Sequence, residues 1–332
     1  MNSRAKDVFA KVYKNCPQDE NALYGIIMSV LNNENLYNLS DDEKEKLKLV
    51  HENILLDGDF GIGKTTMAEE VARSLDLPFY KFIIPKVGSG FPYQLLISNF
   101  NDVYRNIYVK NGNPKLHGVV VFEELEKILN ADCLSYLDSV INMETFMIYD
   151  KELGENVVLD ISNITYIGEV NRDRAADYID VSIDPDSYKD VLADNEDFSL
   201  KDKEMLRNVL IHLDMDNQLN LKINHFENSP SMWHVFQKHI NFKKLDVSSI
   251  KLILRDSEFS KYKALASMFD GEDYLKFLND KLIDRLAKEL ESNPNRLCSI
   301  PDYFNEFLNK MMEYGFIDVF PENGSKQKKK EM

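Results

Sequence analysis

The chain has 332 residues, and its 40 Lys and Arg against 56 Asp and Glu give a formal net charge of −16. This length is typical of about two domains, and a hydrophobic content of 44% excludes wholesale disorder, a collagen-like repeat and a disulfide scaffold. The negative charge repels a phosphate backbone at long range, so it disfavours nucleic acid as a partner without excluding a local basic groove.

Membrane and metal signals are absent from the sequence. No uninterrupted apolar run approaches the ~18 residues that span a bilayer, and residues 1–15 are charged where a signal peptide is apolar. We therefore expect a cytoplasmic protein with no membrane partner. Cys16, Cys133 and Cys298 form no CxxC pair, and the six histidines form no HExxH or HxH pair, so we predict no protein-ligated metal.

The first 50 residues have a polar, helical pattern. Gln18–Asn21 opens one predicted helix, and Ser40–Glu43 is typical of the N-cap and acidic first turn of another. We treat residues 1–50 as a helical N-terminal lead-in.

Apolar strands then alternate with helices. The predicted elements are a strand at Asn53–Leu56, a helix at Thr65–Leu75, a strand at Pro78–Ile84, a helix at Leu95–Val109 and a strand at Gly118–Phe122. Such alternation predicts a parallel sheet covered by helices on both faces, which is a three-layer α/β/α fold.

A hairpin and a further strand follow. Phe146–Asp150 and Val157–Ile161 flank a turn, Ile164–Gly168 is strand-like, and Ile179–Ile183 is a possible fifth strand ending before Pro185. After Pro185 only helical patterns are predicted, and they lie at residues 201–213, 229–240, 248–255, 261–269, 274–290 and 302–314. The chain thus divides into a core at 51–185, an all-α C-terminal region or lid at 186–323 and a basic, disordered tail at 324–332.

The segment Gly58–Thr65 fits the phosphate-binding pattern GxxxxGK[ST] in full, between a strand and a helix. Glycines there let backbone N–H groups surround phosphates, and the helix presents its positive end to them. Lys64 is positioned to reach the β- and γ-phosphates, and the Thr65 hydroxyl to ligate Mg²⁺. The candidate nucleotide-binding residues here are Gly58, Asp59, Phe60, Gly61, Ile62, Gly63, Lys64, Thr65 and Thr66.

Polar residues after two later strands complete a candidate hydrolytic site. Glu123 follows the strand Gly118–Phe122 and is predicted to hold Mg²⁺ through its water shell. Glu124 is predicted to polarise the attacking water. Asn171 lies just past Ile164–Gly168, where its amide is predicted to orient that water, although a simple turn asparagine fits the same pattern.

These elements, in this order, resemble the AAA+ ATPases over residues 17–185, with Asn53–Thr65 as the Walker A segment, Val119–Glu124 as Walker B and Ile164–Asn171 as the sensor 1 strand. The hairpin before the sensor strand is similar to that of the Clp, HslU and Lon clade. Glu123 departs from the family's usual Asp by one methylene.

The resemblance implies further site residues and partners. It implies an arginine acting in trans, for which Arg174 is favoured over Arg172, a second sensor at Arg296, and Phe91 as a candidate substrate gripper or a structural loop residue. It implies ATP and Mg²⁺ as ligands and a ring-shaped homo-oligomer.

We therefore expect an AAA+ ATPase that couples ATP hydrolysis to remodelling of a protein partner or complex. Two alternatives stay open at this point. One is a DNA-associated AAA+ protein of the clamp-loader or helicase-loader type. The other is a nucleotide-binding switch with weak hydrolysis, for which Glu123 and the lack of a clear arginine finger are the reasons.

Overall fold

The computed structural model of the chain describes residues 3–47, 50–84, 93–128, 134–150, 154–177, 199–227, 230–256, 280–300 and 302–303. Among these residues the helices are α1 (Ser3–Tyr13), α2 (Glu20–Tyr37), α3 (Asp41–Leu47), α4 (Lys64–Ser74), α5 (Tyr93–Asn111), α6 (Leu134–Ile141), α7 (Leu200–Glu227), α8 (Pro230–Val235), α9 (Val247–Asp256) and α10 (Asp280–Ser292). The strands are β1 (Ile54–Gly58), β2 (Phe79–Ile83), β3 (Lys115–Glu123), β4 (Thr145–Asp150), β5 (Glu155–Asn171) and β6 (Lys238–Asn241). Short 3₁₀ turns lie at Leu125–Ile128, Arg172–Asp177 and Arg296–Ser299.

Five strands form a parallel sheet in the order β2-β3-β5-β1-β6, and β4 pairs antiparallel with β5. The register places Ile54 beside Ile167 and Gly58 beside Asn171, so β1 and β5 end together. Because parallel strands present their carboxyl ends at one edge, the residues that follow β1, β3 and β5 are brought to the same place.

Helices cover both faces of this sheet, as the apolar strands require. Val119 and Val121 of β3 belong to a core that also contains residues of α1, α2, α4, α9 and α10. Val120 and Phe122, their neighbours in the chain, belong to a second core with residues of α5, α6 and α8. Successive strand side chains point to opposite faces, so the run is apolar throughout because both faces are buried. The prediction of a three-layer α/β/α fold is confirmed.

The hairpin prediction is also confirmed, with one difference. Met147 of β4 lies opposite Val158 of β5, in an antiparallel ladder. The two strands predicted at Val157–Ile161 and Ile164–Gly168 are a single strand of 17 residues, because β3 pairs alongside it from Asp160 to Gly168 across one register shift.

The expectation that only helices follow Pro185 is wrong at one position. The predicted helix at 229–240 ends at Val235, and β6 pairs parallel with β1, with Ile54 beside Lys238. This strand has four residues, of which Ile240 alone is buried, so it is too short for a period of two to be recognised. The strand completes the core sheet from beyond residue 185, and the domain limits themselves stay a prediction.

Several predicted features lie outside the described residues. These are the strand at Ile179–Ile183, the helix at 261–269, most of the helix at 302–314, Cys133, Phe91 and the tail at 324–332. Within the described part of the chain, no helix combines the length and apolar character that crossing a bilayer needs.

Candidate nucleotide-binding site

The turn between β1 and α4 has the backbone geometry of a phosphate-binding loop. All five residues of β1 are buried, and the chain leaves it through Gly61 and Gly63, whose φ angles are 72° and 90°. Such left-handed backbone favours glycine over residues with a side chain. Gly63 occupies the N-cap position of α4 without a side-chain cap, so the first N–H groups of the helix are left for a ligand.

Lys64 is buried at the centre of this turn. Its ammonium donates to the carbonyl oxygens of Gly58 and Asp59, both at 2.9 Å, and to Oδ1 of Asn171 at 2.8 Å. Three donors thus meet three acceptors, although burial still lowers the pKa of Lys64. The ammonium is thus held by two carbonyl oxygens of the loop and by Asn171 at the end of β5.

Asn171 links Lys64 to a carboxylate that the sequence did not single out. Its side-chain amide donates to Oε1 of Glu126 at 2.7 Å, and its backbone N–H donates to Oε2 at 3.0 Å. Glu126 is 1% exposed, and burial raises the pKa of its carboxyl. The sequence patterns predicted no role for Glu126.

The two acids after β3 face different surroundings. Glu123 is mostly buried, and its carboxylate lies 3.8 Å from the Lys81 ammonium. Glu124 has a left-handed backbone, with φ of 66°, and its carboxylate is ion-paired with Lys127. Glu124 therefore contacts Lys127 of the 3₁₀ turn that follows it, while Glu126 is the acid that contacts Asn171.

Thr65 is paired with a second acid that the sequence analysis missed. The Thr65 hydroxyl donates to Oε2 of Glu169 at 2.8 Å. Glu169 lies on β5 and is 4% exposed, and burial raises the pKa of its carboxyl to about 7. Its other oxygen, Oε1, is buried with no hydrogen-bond partner among the described residues.

The outer side of the loop is covered by the segment Asn295–Leu297. The Arg296 guanidinium donates to the Phe60 carbonyl at 2.8 Å, to Asp59 at 2.9 Å and to Asp173 at 2.8 Å. The Leu297 N–H donates to the Gly61 carbonyl at 3.1 Å. A Cβ at Gly61 would lie 2.4 Å from the Asn295 carbonyl oxygen, so this close approach requires glycine. The structure thus brings Arg296 to the loop, and its role as a second sensor stays a prediction.

The two arginines after β5 lie on their own chain's loop. Arg172 donates to the buried Asp57 carboxylate at 2.5 Å. Arg174 stacks on the Phe60 ring, 3.3 Å from the ring centroid, and donates to Oδ1 of Asn295 at 3.0 Å. A role for Arg174 in a neighbouring subunit stays a prediction.

The N-terminal lead-in reaches the loop as well. Gln18 donates to the Ile62 carbonyl at 3.3 Å, and its amide nitrogen is 2.7 Å from the position that a Cβ at Gly63 would occupy. Asp19 caps α2 by accepting from the N–H groups of Asn21 and Ala22, which fixes the chain just after Gln18.

Oxygen donors at the site suit a hydrated Mg²⁺ beside a nucleotide. Among the described residues, no three His, Cys, Asp or Glu side chains form a metal-binding group. The Thr65 hydroxyl, the Glu123 carboxylate and the unpartnered oxygen of Glu169 are oxygen ligands of the kind that Mg²⁺ prefers, and Mg²⁺ commonly completes its shell with phosphate and water.

The strand, glycine loop, lysine and helix together define a P-loop nucleotide-binding domain. Residues 54–158 match the family model described as AAA, the ATPase family associated with various cellular activities. Residues 54–158 are therefore similar to an AAA ATPase domain, which agrees with the P-loop geometry of this site. The match includes Lys64, Glu123 and Glu124 and ends before Glu169 and Asn171, and the Clp, HslU and Lon clade stays a prediction. No curated protein sequence matches the chain.

Proposed function

We propose that this protein hydrolyses ATP and couples the hydrolysis to remodelling of a protein partner, as a ring-shaped homo-oligomer. The observation that carries the ATPase proposal is the buried Lys64 ammonium, fixed by Gly58, Asp59 and Asn171 at the end of a phosphate loop. A lysine so placed exchanges carbonyl contacts for the stronger charge-assisted contacts of a triphosphate.

The chain's own residues divide the work of hydrolysis. Lys64 and the N–H groups of the loop bind and orient the phosphates, and Thr65 and Glu123 hold Mg²⁺, which supplies positive charge beside the phosphate oxygens when it is bound. Glu124 accepts the proton of the attacking water, once its carboxylate leaves Lys127. Asn171 orients that water while Glu126 fixes its amide.

Remodelling of a protein is favoured over action on nucleic acid by two features. The net charge of −16 opposes a phosphate backbone. The β4–β5 hairpin has exposed apolar side chains, Met147, Tyr149 and Val158. Such side chains suit contact with a protein surface better than contact with the charged backbone of a nucleic acid.

A nucleotide-binding switch with weak hydrolysis is the second candidate. The observation that favours it is the ion pair between Glu124 and Lys127, which occupies the carboxylate that hydrolysis needs. Arg174 is similarly engaged, since it stacks on Phe60 of its own chain.

Three measurements of ATP turnover test the proposal, with the protein alone, with an unfolded protein and with single-stranded or duplex DNA. Stimulation by unfolded protein is the expected result. Stimulation by DNA alone would replace the proposal with a DNA-associated AAA+ function. Tight ATP binding with negligible turnover in every condition would favour the switch.

A further inference from the structure

Glu169 is an unexplained buried carboxylate inside the site. It lies on β5, where it pairs with Leu56 of β1. On the other side of β5, the last pair with β3 is Phe122 with Gly168, and Glu123 and Glu169 are the residues that follow this pair. Burying a carboxylate is costly unless it is paired and its lone pairs accept hydrogen bonds. Glu169 therefore needs a specific reason to lie there.

The neighbouring lysine does not provide the missing hydrogen bond. The three donors of Lys64 are directed to Gly58, Asp59 and Asn171, so Lys64 compensates the charge of Glu169 only through space. Thr65 satisfies one carboxylate oxygen, Oε2, at 2.8 Å. The other oxygen, Oε1, has no hydrogen-bond partner among the described residues, although it is buried.

The direction of the Thr65 hydrogen bond matters for a cation. A hydroxyl has one proton and two lone pairs, and here the proton points at Glu169. The lone pairs of Thr65 are then directed elsewhere and are available to a metal ion. A water bound to a divalent cation is a strong hydrogen-bond donor, which is what the unpartnered oxygen lacks.

We propose that Glu169 is a positioning residue for the divalent cation of the nucleotide site. Its Oε2 accepts the Thr65 proton and fixes that hydroxyl as a metal ligand, and its Oε1 accepts a hydrogen bond from a water on the cation. This inference rests on the proposed nucleotide-binding function. It assigns to β5 a carboxylate that acts beside Glu123 of β3.

Calorimetric titration with ADP, in excess Mg²⁺ and in EDTA, tests the inference without relying on turnover. The measured quantity is the Mg²⁺ enhancement, which is the ratio of ADP affinities in the two conditions. Partners that orient metal ligands typically contribute 10–100-fold to metal affinity. We expect Glu169→Gln to reduce the Mg²⁺ enhancement by about 10-fold or more, while ADP affinity in EDTA stays the same or rises because a negative charge is removed.

A matched control and a second variant sharpen the result. Glu70→Gln changes another buried glutamate of the same region, on α4, whose carboxylate accepts from Asn15 at 2.8 Å, and it should leave the enhancement unchanged. Thr65→Val should reduce the Mg²⁺ enhancement. In the Thr65→Val background, Glu169→Gln should lower the enhancement by a smaller factor than it does in the wild type, because the two residues act through one hydrogen bond.

The outcomes separate this inference from the function on which it rests. A wild-type protein that binds no ADP in either condition would overturn both. A wild-type protein with a clear Mg²⁺ enhancement that Glu169→Gln preserves would overturn the role of Glu169 alone. If Glu169→Gln does not fold, Glu169→Asp keeps the charge and withdraws it by one methylene, and an enhancement equal to that of the wild type would again overturn the inference.

Discussion

The Lys64 ammonium donates a 2.8 Å hydrogen bond to the side-chain amide oxygen of Asn171, 107 residues further along the chain. This contact joins the start of α4 to the end of β5. The same amide donates to Glu126, so the lysine, the asparagine and the glutamate form one buried chain of hydrogen bonds. These hydrogen bonds therefore connect the first residue of α4 to the 3₁₀ turn after β3.

Replacing Lys64 by Ala should reduce ATP affinity by about 100-fold or more, because two charge-assisted contacts of about 1.5–3 kcal/mol each are lost. Calorimetric titration with ATP measures the change. Lys238→Ala, which removes an exposed lysine from β6 next to the start of β1, is the matched control and should bind ATP normally. Unchanged affinity in Lys64→Ala would remove the basis for the phosphate-loop assignment.

Glu124→Gln should bind ATP but turn it over about 100-fold or more slowly, because the amide keeps the shape of the side chain and cannot accept the proton of water. Steady-state phosphate release measures this loss, and sizing with ATP and Mg²⁺ should detect a trapped assembly.

Lys127→Gln provides the contrasting variant for Glu124. It releases the Glu124 carboxylate from its ion pair, so turnover should be equal to or above that of the wild type. Normal turnover in Glu124→Gln would show that Glu124 does not activate the attacking water.

Arg174→Ala tests whether the site is shared between subunits. A trans arginine contributes about 10³–10⁵ in turnover where it operates, so the variant should bind ATP and lose most hydrolysis. Mixing it with Lys64→Ala should restore part of the activity, because each variant retains the half of the shared site that the other lacks. Mixed assemblies that stay inactive would instead assign Arg174 to the Phe60 stack of its own subunit.

His51 should make the fold sensitive to acid. Burial lowers the pKa of His51 to about 4, and its Nε2 atom is buried with no hydrogen-bond partner among the described residues. The unfolded chain takes up a proton near pH 6.5, whereas the folded chain does so only near pH 4, so stability falls as the pH falls through this interval.

Urea unfolding at several pH values measures this effect. The expected slope from one histidine is at most about 1.4 kcal/mol per pH unit. His51→Gln should remove this contribution to the pH dependence of the free energy of unfolding below pH 6.5. The pH dependence above pH 7.5 should stay unchanged. Equal slopes for the two proteins below pH 6.5 would contradict the prediction.

Local patterns were sufficient to predict the loop and the sheet. The glycines of the segment Gly58–Thr65 determine the backbone conformation of the loop. The apolar run Gly118–Phe122 indicates a strand that is buried on both faces. The hairpin at Phe146–Ile161 follows from alternation around a turn. In each case the residues that fix the structure are neighbours in sequence.

The missed residues owe their roles to partners far away in the chain. Glu169 contacts Thr65 across 104 residues, and Asp173 contacts Arg296 across 123. Nothing near Glu169 in the sequence distinguishes it from a solvated strand residue. The strand β6 was missed for the related reason that its pairing with β1, rather than its own four residues, determines its conformation.

The length of β5 connects the hairpin to the candidate nucleotide-binding site. One strand of 17 residues begins at the exposed hairpin and ends at Asn171, which is a span of about 50 Å at roughly 3.3 Å per residue. The exposed hairpin and the asparagine that contacts Lys64 are thus the two ends of one strand, and the backbone between them is interrupted only by the single register shift opposite β3.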